Sequence, residues 1–275
     1  MSRFASKQKL LASAAACALS LTITTASAQS ASPPDLSSNG TAWQTGNGGE
    51  FGAVPGSPMP MRQDPAHPFV GNGQGKQPTY RIGDLSNPNL KQWAKDAMKK
   101  DNDEVLAGKI AYTPASSCKP GGVPAINLQG GPFYFLQTPR EITVLLEQDH
   151  QVRHIYLDVP HSKTVKPSWY GESVGHYEGD TLVVDTIGLN TSSFVDNYRT
   201  PHSEKLHVVE RYKLIDEGKQ MEIRMTIEDP DTYMQPWQAV RTYRRTQATL
   251  QEEACAENNQ HLFDYHIPEA KTPDF

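Results

Sequence analysis

The residues most able to carry chemistry are histidines and carboxylates in the second half of the chain. Six of the nine histidines fall within residues 150–207. Two long, turn-rich segments in this region, residues 160–171 and 188–204, carry His161 and His202 beside acidic and aromatic residues. A histidine beside a carboxylate is a common means of moving a proton near neutral pH. The sequence therefore predicts a general acid–base site built from these two segments.

The predicted site contains residues for proton transfer and residues for substrate binding. The proton-transfer residues are Asp158, His161, Tyr170, His202, Glu204 and Glu210. The substrate-binding residues are Trp169, His176, Tyr198, Asp229 and Trp237. Within the first set, His161 or His202 would move the proton, and a carboxylate would orient that histidine. Tyr170 would donate a hydrogen bond to the negative charge that develops on the substrate.

Several of these residues also have a structural interpretation. Glu210 lies on the apolar face of its predicted strand, so it either pairs with an inward arginine or lies in a polar pocket. The other residues with a plausible local role, in a cap, turn or wall, are His176, His202, Glu204, Asp229 and Trp237.

No metal or cofactor is predicted. The chain has no Walker loop, nucleotide-binding glycine motif, His-Glu-x-x-His or Gly-x-Ser-x-Gly sequence. The spacing of the four residues that could ligate a metal matches no standard site: His154, His161, His202 and Glu204.

The elements that must position these residues are β-strands. The clearest is a hairpin in which Glu178-Gly179-Asp180 joins two short strands. Short turns between neighbouring strands favour an antiparallel meander, and eight strands can close into a barrel. The eight predicted strands are 132–137, 141–147, 151–159, 172–177, 181–187, 205–214, 220–229 and 236–245.

We therefore expect a mainly β fold: a calycin- or lipocalin-like up-and-down β-barrel with one N-terminal helix. A two-sheet sandwich or an open half-barrel is the alternative. In an up-and-down barrel the two long segments open at the same end, which would bring His161 and His202 to one mouth. The helix is predicted over residues 88–109, because Asn87 can cap it and Pro88 fits its first turn.

The region before the helix is predicted to contain a leader and an arm. Residues 1–28 have a basic start, an apolar core and Ala26-Ser27-Ala28 as a cleavage site, which is typical of a signal peptide. Residues 29–87 are rich in Gly and Pro and are expected to be poorly ordered or to wrap around the barrel. The helix and barrel then form a domain over residues 88–275.

Charge and cysteine content are consistent with an exported protein. Removing the three basic residues of the leader changes the formal net charge from −5 to −8. This excess of negative charge argues against a nucleic-acid partner, and the leader's apolar core is too short for a membrane span. Two cysteines remain, Cys118 and Cys255, and an even pair in an oxidising compartment predicts a disulfide.

Four motifs resemble a large family of exported bacterial proteins over roughly residues 110–260. Members often have Asp-Gly-Arg-x-His-Pro where this chain has Asp158-Val-Pro-His-Ser162, so the arginine is absent while Asp158 and His161 remain. The resemblance implies export and a fold more than a reaction. The motifs are His176-Tyr-Glu-Gly-Asp-Thr-Leu-Val-Val-Asp-Thr186, Pro201-His-Ser-Glu-Lys-Leu-His-Val-Val-Glu-Arg-Tyr212, Glu228-Asp-Pro-Asp-Thr-Tyr233 with Pro236-Trp237, and Cys255-Ala-Glu-Asn258.

Together these features predict an exported, cofactor-independent hydrolase or lyase that acts on a small, partly apolar organic molecule in a pocket at the barrel mouth. The main alternative is a lipocalin-like periplasmic protein that binds a small hydrophobic ligand without turnover. A structural protein of the cell envelope is a third possibility. A carrier predicts an apolar interior, whereas an enzyme predicts a His–carboxylate contact inside the mouth.

Overall fold

The computed structural model describes residues 33–46, 49–69, 81–109 and 112–255. The predicted signal peptide, residues 1–28, lies outside them. The described chain forms one helix, α1 (Gln92–Leu106), and ten strands. The strands are β1 (Ala42–Thr45), β2 (Gly52–Ala53), β3 (Pro132–Gln137), β4 (Glu141–Leu146), β5 (Gln151–Leu157), β6 (Glu172–Glu178), β7 (Thr181–Ile187), β8 (His207–Ile215), β9 (Gln220–Glu228) and β10 (Trp237–Thr246).

Nine of these strands close into a barrel. Strands β3 to β10 follow one another in chain order, and β1 pairs with both β3 and β10 to complete the ring. The short strand β2 pairs with β10 as well. The predicted fold class, a mainly β barrel with one helix, is confirmed, and each predicted strand matches one of β3 to β10 to within two residues.

The pairing of β5 with β6 differs from an all-antiparallel meander. These two strands are parallel, with Ile155 opposite Ser173 and Leu157 opposite Gly175. Parallel neighbours need a crossover, so residues 158–171 run back along the outside of the barrel. The crossover begins at Asp158, whose backbone N–H donates to the Gly175 carbonyl. Only the last part of the crossover, at Ser168, pairs with the segment between β7 and β8. The prediction that both long segments open at one end is therefore wrong for the first half of the crossover.

The barrel interior is formed by alternate residues of each strand, as the period of a β-strand requires. In β9 the inward residues Met221, Ile223, Met225 and Ile227 are completely buried. Large side chains occupy the interior, among them Trp43, Phe133, Tyr212, Trp237 and Tyr243.

The helix is shorter than predicted at both ends. Its buried face consists of Ala94, Met98 and Asn102. Asn87 accepts a hydrogen bond from the backbone N–H of Asn89 at 2.9 Å, so it stabilises the turn before α1 rather than the helix itself. Among the described residues, no helix has the length and apolarity needed to cross a membrane.

The Gly/Pro-rich segment contributes directly to the barrel where it is described. Trp43 of β1 is completely buried, and its indole N–H donates to the Leu36 carbonyl at 2.8 Å. Phe51 and Met61 also belong to the core. The hydrophobic core thus begins well before residue 88.

The predicted disulfide is confirmed. Cys118 and Cys255 are bonded, with their Cα atoms 5.7 Å apart. The bond joins the segment before β3 to the segment after β10. It therefore ties together the chain on either side of the β3–β10 run.

Candidate functional site

The inside of the barrel contains a buried ion pair. Arg153 of β5 bonds both carboxylate oxygens of Glu210 on β8, and both side chains are almost inaccessible. Arg153 Nη2, which also donates to Glu210, reaches the hydroxyls of Ser173, at 3.1 Å, and Thr186, at 3.1 Å. Tyr212 donates to Glu210 at 2.9 Å. Glu210 therefore has the inward-arginine partner that the sequence suggested, and this pair is part of the packed core.

His202 is also buried. Its Nδ1–H donates to the Ser203 carbonyl at 2.9 Å, so Nε2 accepts from the Ser193 hydroxyl at 3.0 Å. Burial lowers the pKa of His202 despite the Ser203 contact, which favours the neutral ring. Glu204 beside it is exposed. These contacts stabilise the segment between β7 and β8. Because each ring nitrogen of His202 already has a hydrogen-bond partner, neither is available to a substrate.

His161 lies on the outer wall of the barrel in a row of alternating acidic and histidine side chains. Its Nδ1 is 3.0 Å from Glu172 of β6, and its Nε2 is 2.8 Å from Asp185 of β7. Asp185 also bonds His207 of β8 at 2.9 Å, and the other ring nitrogen of His207 is 3.3 Å from Glu228 of β9. We call these five residues the outer chain.

The outer chain fixes the crossover to the barrel wall. His207 lies between two carboxylates and can donate from both nitrogens, which favours its charged form. Burial by itself lowers the pKa of His207, but Asp185 and Glu228 outweigh burial and the net pKa is raised. Burial likewise raises the pKa of Asp185, yet hydrogen bonds from His161 and His207 leave it lowered. His161 and His202 share no side-chain partner, so the structure does not bring the two predicted proton carriers together.

A groove of about 730 Å³ lies between the outer face of β5 and the crossover. We call it the outer groove. From β5 it is lined by Gln151, Val152, His154 and Tyr156, from the crossover by residues 164–166 and 168–171, and from β6 by Glu172 and Ser173. Two predicted site residues, Trp169 and Tyr170, form part of its aromatic wall.

His154, which lines the outer groove, is paired with a carboxylate outside the lining. Glu141 Oε1 is 2.5 Å from His154 Nδ1 and accepts from the Thr143 hydroxyl at 2.9 Å. The hydrogen bond from His154 is the main reason why the pKa of Glu141 is lowered. Thr143 is opposite His154 in the β4–β5 register, so these outward side chains are fixed by strand pairing. With Nδ1 held by the carboxylate, Nε2 is the nitrogen left for proton transfer.

A buried amide completes the outer groove. Gln151, at the start of β5, is 4% exposed, and its Oε1 accepts from the Tyr170 hydroxyl. Its Nε2 is buried without a hydrogen-bond partner among the described residues. A buried unpartnered donor is unfavourable by about 1–3 kcal/mol. Such a group is suited to an acceptor oxygen supplied by a ligand.

The other predicted site residues are dispersed. His176 is exposed and bonds Glu178 at 3.2 Å, and it does not line the outer groove. Tyr198 is buried and donates to Glu50. Asp229 stabilises a turn by accepting from Ser203 and Thr232, as its structural interpretation predicted. Trp237 packs in the core against Phe51 and Tyr233, and Asp158 is exposed at the start of the crossover.

Sequence reasoning missed Glu141 and Gln151 and gave His154 no role in the site. A usable signal was present for Glu141, because two strands joined by a three-residue turn place it diagonally across from His154. Among the described residues, no group of histidine, cysteine or acidic side chains is arranged to hold a metal ion. In the comparisons with known proteins, no family model, curated protein or solved structure matches this chain.

Proposed function

We propose that the protein is an exported, cofactor-independent enzyme of hydrolase or lyase type. Its substrate is a small, partly apolar organic molecule that carries a carbonyl group and binds in the outer groove. The observation that carries the proposal is that His154, paired with Glu141, and the unpartnered Gln151 amide line one aromatic-walled groove. Export is supported by the leader-like residues 1–28.

Each group has a distinct part in binding. The Gln151 Nε2–H donates to the substrate carbonyl oxygen, and Tyr170 holds the amide in that orientation through Oε1. Tyr156 and Trp169 provide apolar area for the rest of the molecule. The Tyr156 ring is stacked on His154, with the two planes 10° apart, which limits movement of the imidazole.

His154 then acts as the general base. For a hydrolase, its Nε2 takes a proton from water while the water oxygen bonds to the carbonyl carbon. The carbonyl electron pair moves to the oxygen bound by Gln151, and Glu141 stabilises the imidazolium. When the intermediate collapses, the carbon–leaving-group bond breaks and His154 returns the proton to the leaving group.

The proposed acid–base site thus lies on the barrel wall, whereas the sequence predicted one at the barrel mouth. His161 is less suitable as a base because both of its nitrogens already face carboxylates. The carrier hypothesis uses the same groove without turnover. The two hypotheses differ in one observable, which is whether bound molecules are converted.

Turnover of a panel of small esters, thioesters and amides by the mature protein tests the proposal. Replacing His154 by Gln is expected to lower kcat about 100-fold, the scale that general acid–base catalysis supplies. His176→Gln is the matched control, since His176 also contacts a carboxylate but lies outside the groove. Binding of the panel without conversion would support the carrier, and equal kcat in the two variants would contradict the assignment of His154.

A further inference from the structure

A second cavity, of about 480 Å³, lies at one end of the barrel. Its lining includes Gly130 before β3, Gln148 between β4 and β5, and Phe194 between β7 and β8. The strand directions place all three connections at the same barrel end. It shares no lining residue with the outer groove: Pro120 lines the groove and Gly121 lines this end cavity. We propose that the end cavity binds a small aromatic carboxylate.

Among the described residues, the charged side chains of the lining are two arginines and one aspartate. Arg199 is 2% exposed although it is a cation, and Arg81 lies beside it, with the Arg81 carbonyl accepting from Arg199 at 3.3 Å. Asp196 is occupied within its own loop, because it accepts from the Thr200 hydroxyl and from the backbone N–H of Tyr198. Burial raises the pKa of Asp196 despite these hydrogen bonds. The cavity therefore presents more cationic donors than anionic acceptors.

Two acidic residues lie behind these arginines and outside the cavity lining. Glu50 is 3.2 Å from Arg81 and also accepts from the Tyr198 hydroxyl. Asp101 is 4.0 Å from Arg199, and burial raises the pKa of Asp101 despite that arginine. Each is an ion-pair partner of one arginine without lining the cavity.

The shape of the Arg81 site suits a carboxylate. Its guanidinium carbon lies 4.5 Å from the Phe69 ring centre and 5.9 Å from that of Tyr198. A guanidinium stacked on rings directs its N–H groups along its edge, which is the geometry that binds a carboxylate through two parallel hydrogen bonds.

The rest of the lining indicates the body of the ligand. Phe69 and Phe194, with Ala125 and Leu128, form an apolar wall suited to an aromatic ring. Gln129 Oε1 is buried and has no hydrogen-bond partner among the described residues. A ligand that also carries a hydroxyl or amine donor would satisfy this oxygen.

The probe for this site is 4-hydroxybenzoate, and 4-hydroxybenzamide is its uncharged counterpart. Isothermal titration of the mature full-length protein should show the acid binding at least tenfold more tightly than the amide. Arg81→Gln should weaken binding of the acid about tenfold or more, since it removes a charge-assisted hydrogen bond. Arg62→Gln is the matched control, because Arg62 also approaches Glu50, at 4.0 Å, but does not line the cavity.

The outcomes separate this site from the outer groove. His154→Gln should leave 4-hydroxybenzoate affinity unchanged, whatever its effect on turnover. Absence of binding, equal affinity for acid and amide, or an unchanged affinity in Arg81→Gln would overturn the proposal. A loss of affinity in His154→Gln would also overturn it, because the probe would then bind in the groove.

Discussion

Two polar networks lie on opposite faces of the same barrel wall and differ chiefly in their access to water. On the inside, the side chains of Arg153 and Glu210 are 2% and 0% exposed. On the outside, His161, Asp185 and His207 are between 23% and 39% exposed. Both networks use residues of neighbouring strands at alternating positions.

The difference in burial gives the two networks different properties. A charge inside the barrel is tolerable only while its partner remains, because desolvation of an unpaired ion costs several kcal/mol. A charge on the outer wall keeps part of its hydration and can gain or lose a proton near neutral pH. The inner network therefore specifies the core, whereas the outer one can respond to solution conditions.

The largest expected effect is the loss of Glu210. Glu210→Leu leaves Arg153 buried with an uncompensated charge, so the free energy of unfolding should fall by about 3–5 kcal/mol in urea denaturation. The double variant Arg153→Met/Glu210→Leu should recover most of that loss. A single variant with wild-type stability would show that the inner pair is not a structural element.

Loss of a neutral partner of the Arg153–Glu210 pair should lower the free energy of unfolding by a smaller amount. Ser173 accepts from Arg153 at 3.1 Å and shares a 2.9 Å hydrogen bond with Thr186. Ser173→Ala should lower the free energy of unfolding by about 1–3 kcal/mol, because a buried donor loses its acceptor. Ser162→Ala is the outer counterpart, since the Ser162 hydroxyl donates to Glu172 at 2.5 Å. It should change stability by less than about 0.5 kcal/mol, and equal losses in the two variants would remove the distinction.

The outer chain should give a pH dependence that the inner pair does not. Because the pKa of folded His207 is raised, its stabilisation is complete below the unfolded pKa of about 6.5 and is lost as pH rises through the folded value. The lowered pKa of Asp185 sets the acidic limit, because the stabilisation that Asp185 provides is lost as pH falls below about 4. The outer chain is thus most stabilising between these limits, by about 1 kcal/mol or less after solvent screening.

Asp185→Asn tests this dependence, because it removes the carboxylate shared by both histidines. Stability curves measured from pH 5.5 to 8.5 should lose their alkaline decline in the variant. The protection of the amides of residues 159–171 against hydrogen exchange, relative to their intrinsic rates, should become independent of pH. If the variant and the wild-type curves remain parallel over that range, the outer chain does not fix the crossover in a proton-dependent manner.

The smallest stability effect is expected at the outer groove. Glu141→Gln changes an exposed pair, so the free energy of unfolding should stay within about 0.5 kcal/mol of wild type. Turnover of any substrate found should nevertheless fall about tenfold, because the imidazolium of His154 loses its counter-charge. A variant with reduced stability and full activity would reverse the roles assigned to this pair.

The strands β3 to β10 could be predicted because their apolar residues alternate and short turns separate most of them. Strand β1 could not, since its four residues lie in a Gly/Pro-rich segment and its pairing with β10 depends on distant sequence. The parallel β5–β6 pair was also missed. Residues 158–171 contain no helix to signal a crossover, although parallel connections usually contain one.

The functional residues were harder to predict because proximity in sequence is a poor guide to proximity on a barrel. His161 and His202 belong to adjacent long connections, yet one lies on the outer wall and the other is buried. Gln151 gave no signal in the sequence, because its importance depends on one unpartnered nitrogen. Glu210 was informative, since a carboxylate on an apolar face requires a cation, which proved to be Arg153.

The position of β1 has a consequence for the order in which the chain folds. Ala42 pairs with Thr246, so the ring closes only through a contact between residues roughly two hundred positions apart. Contacts of this length make folding slow, because the entropy of closing the loop must be overcome before the contact is gained. In a chain emerging from its N-terminus, β1 can pair with β3, but its other edge stays unpaired until β10 is available. The barrel therefore cannot close until the last strand of the ring has been made.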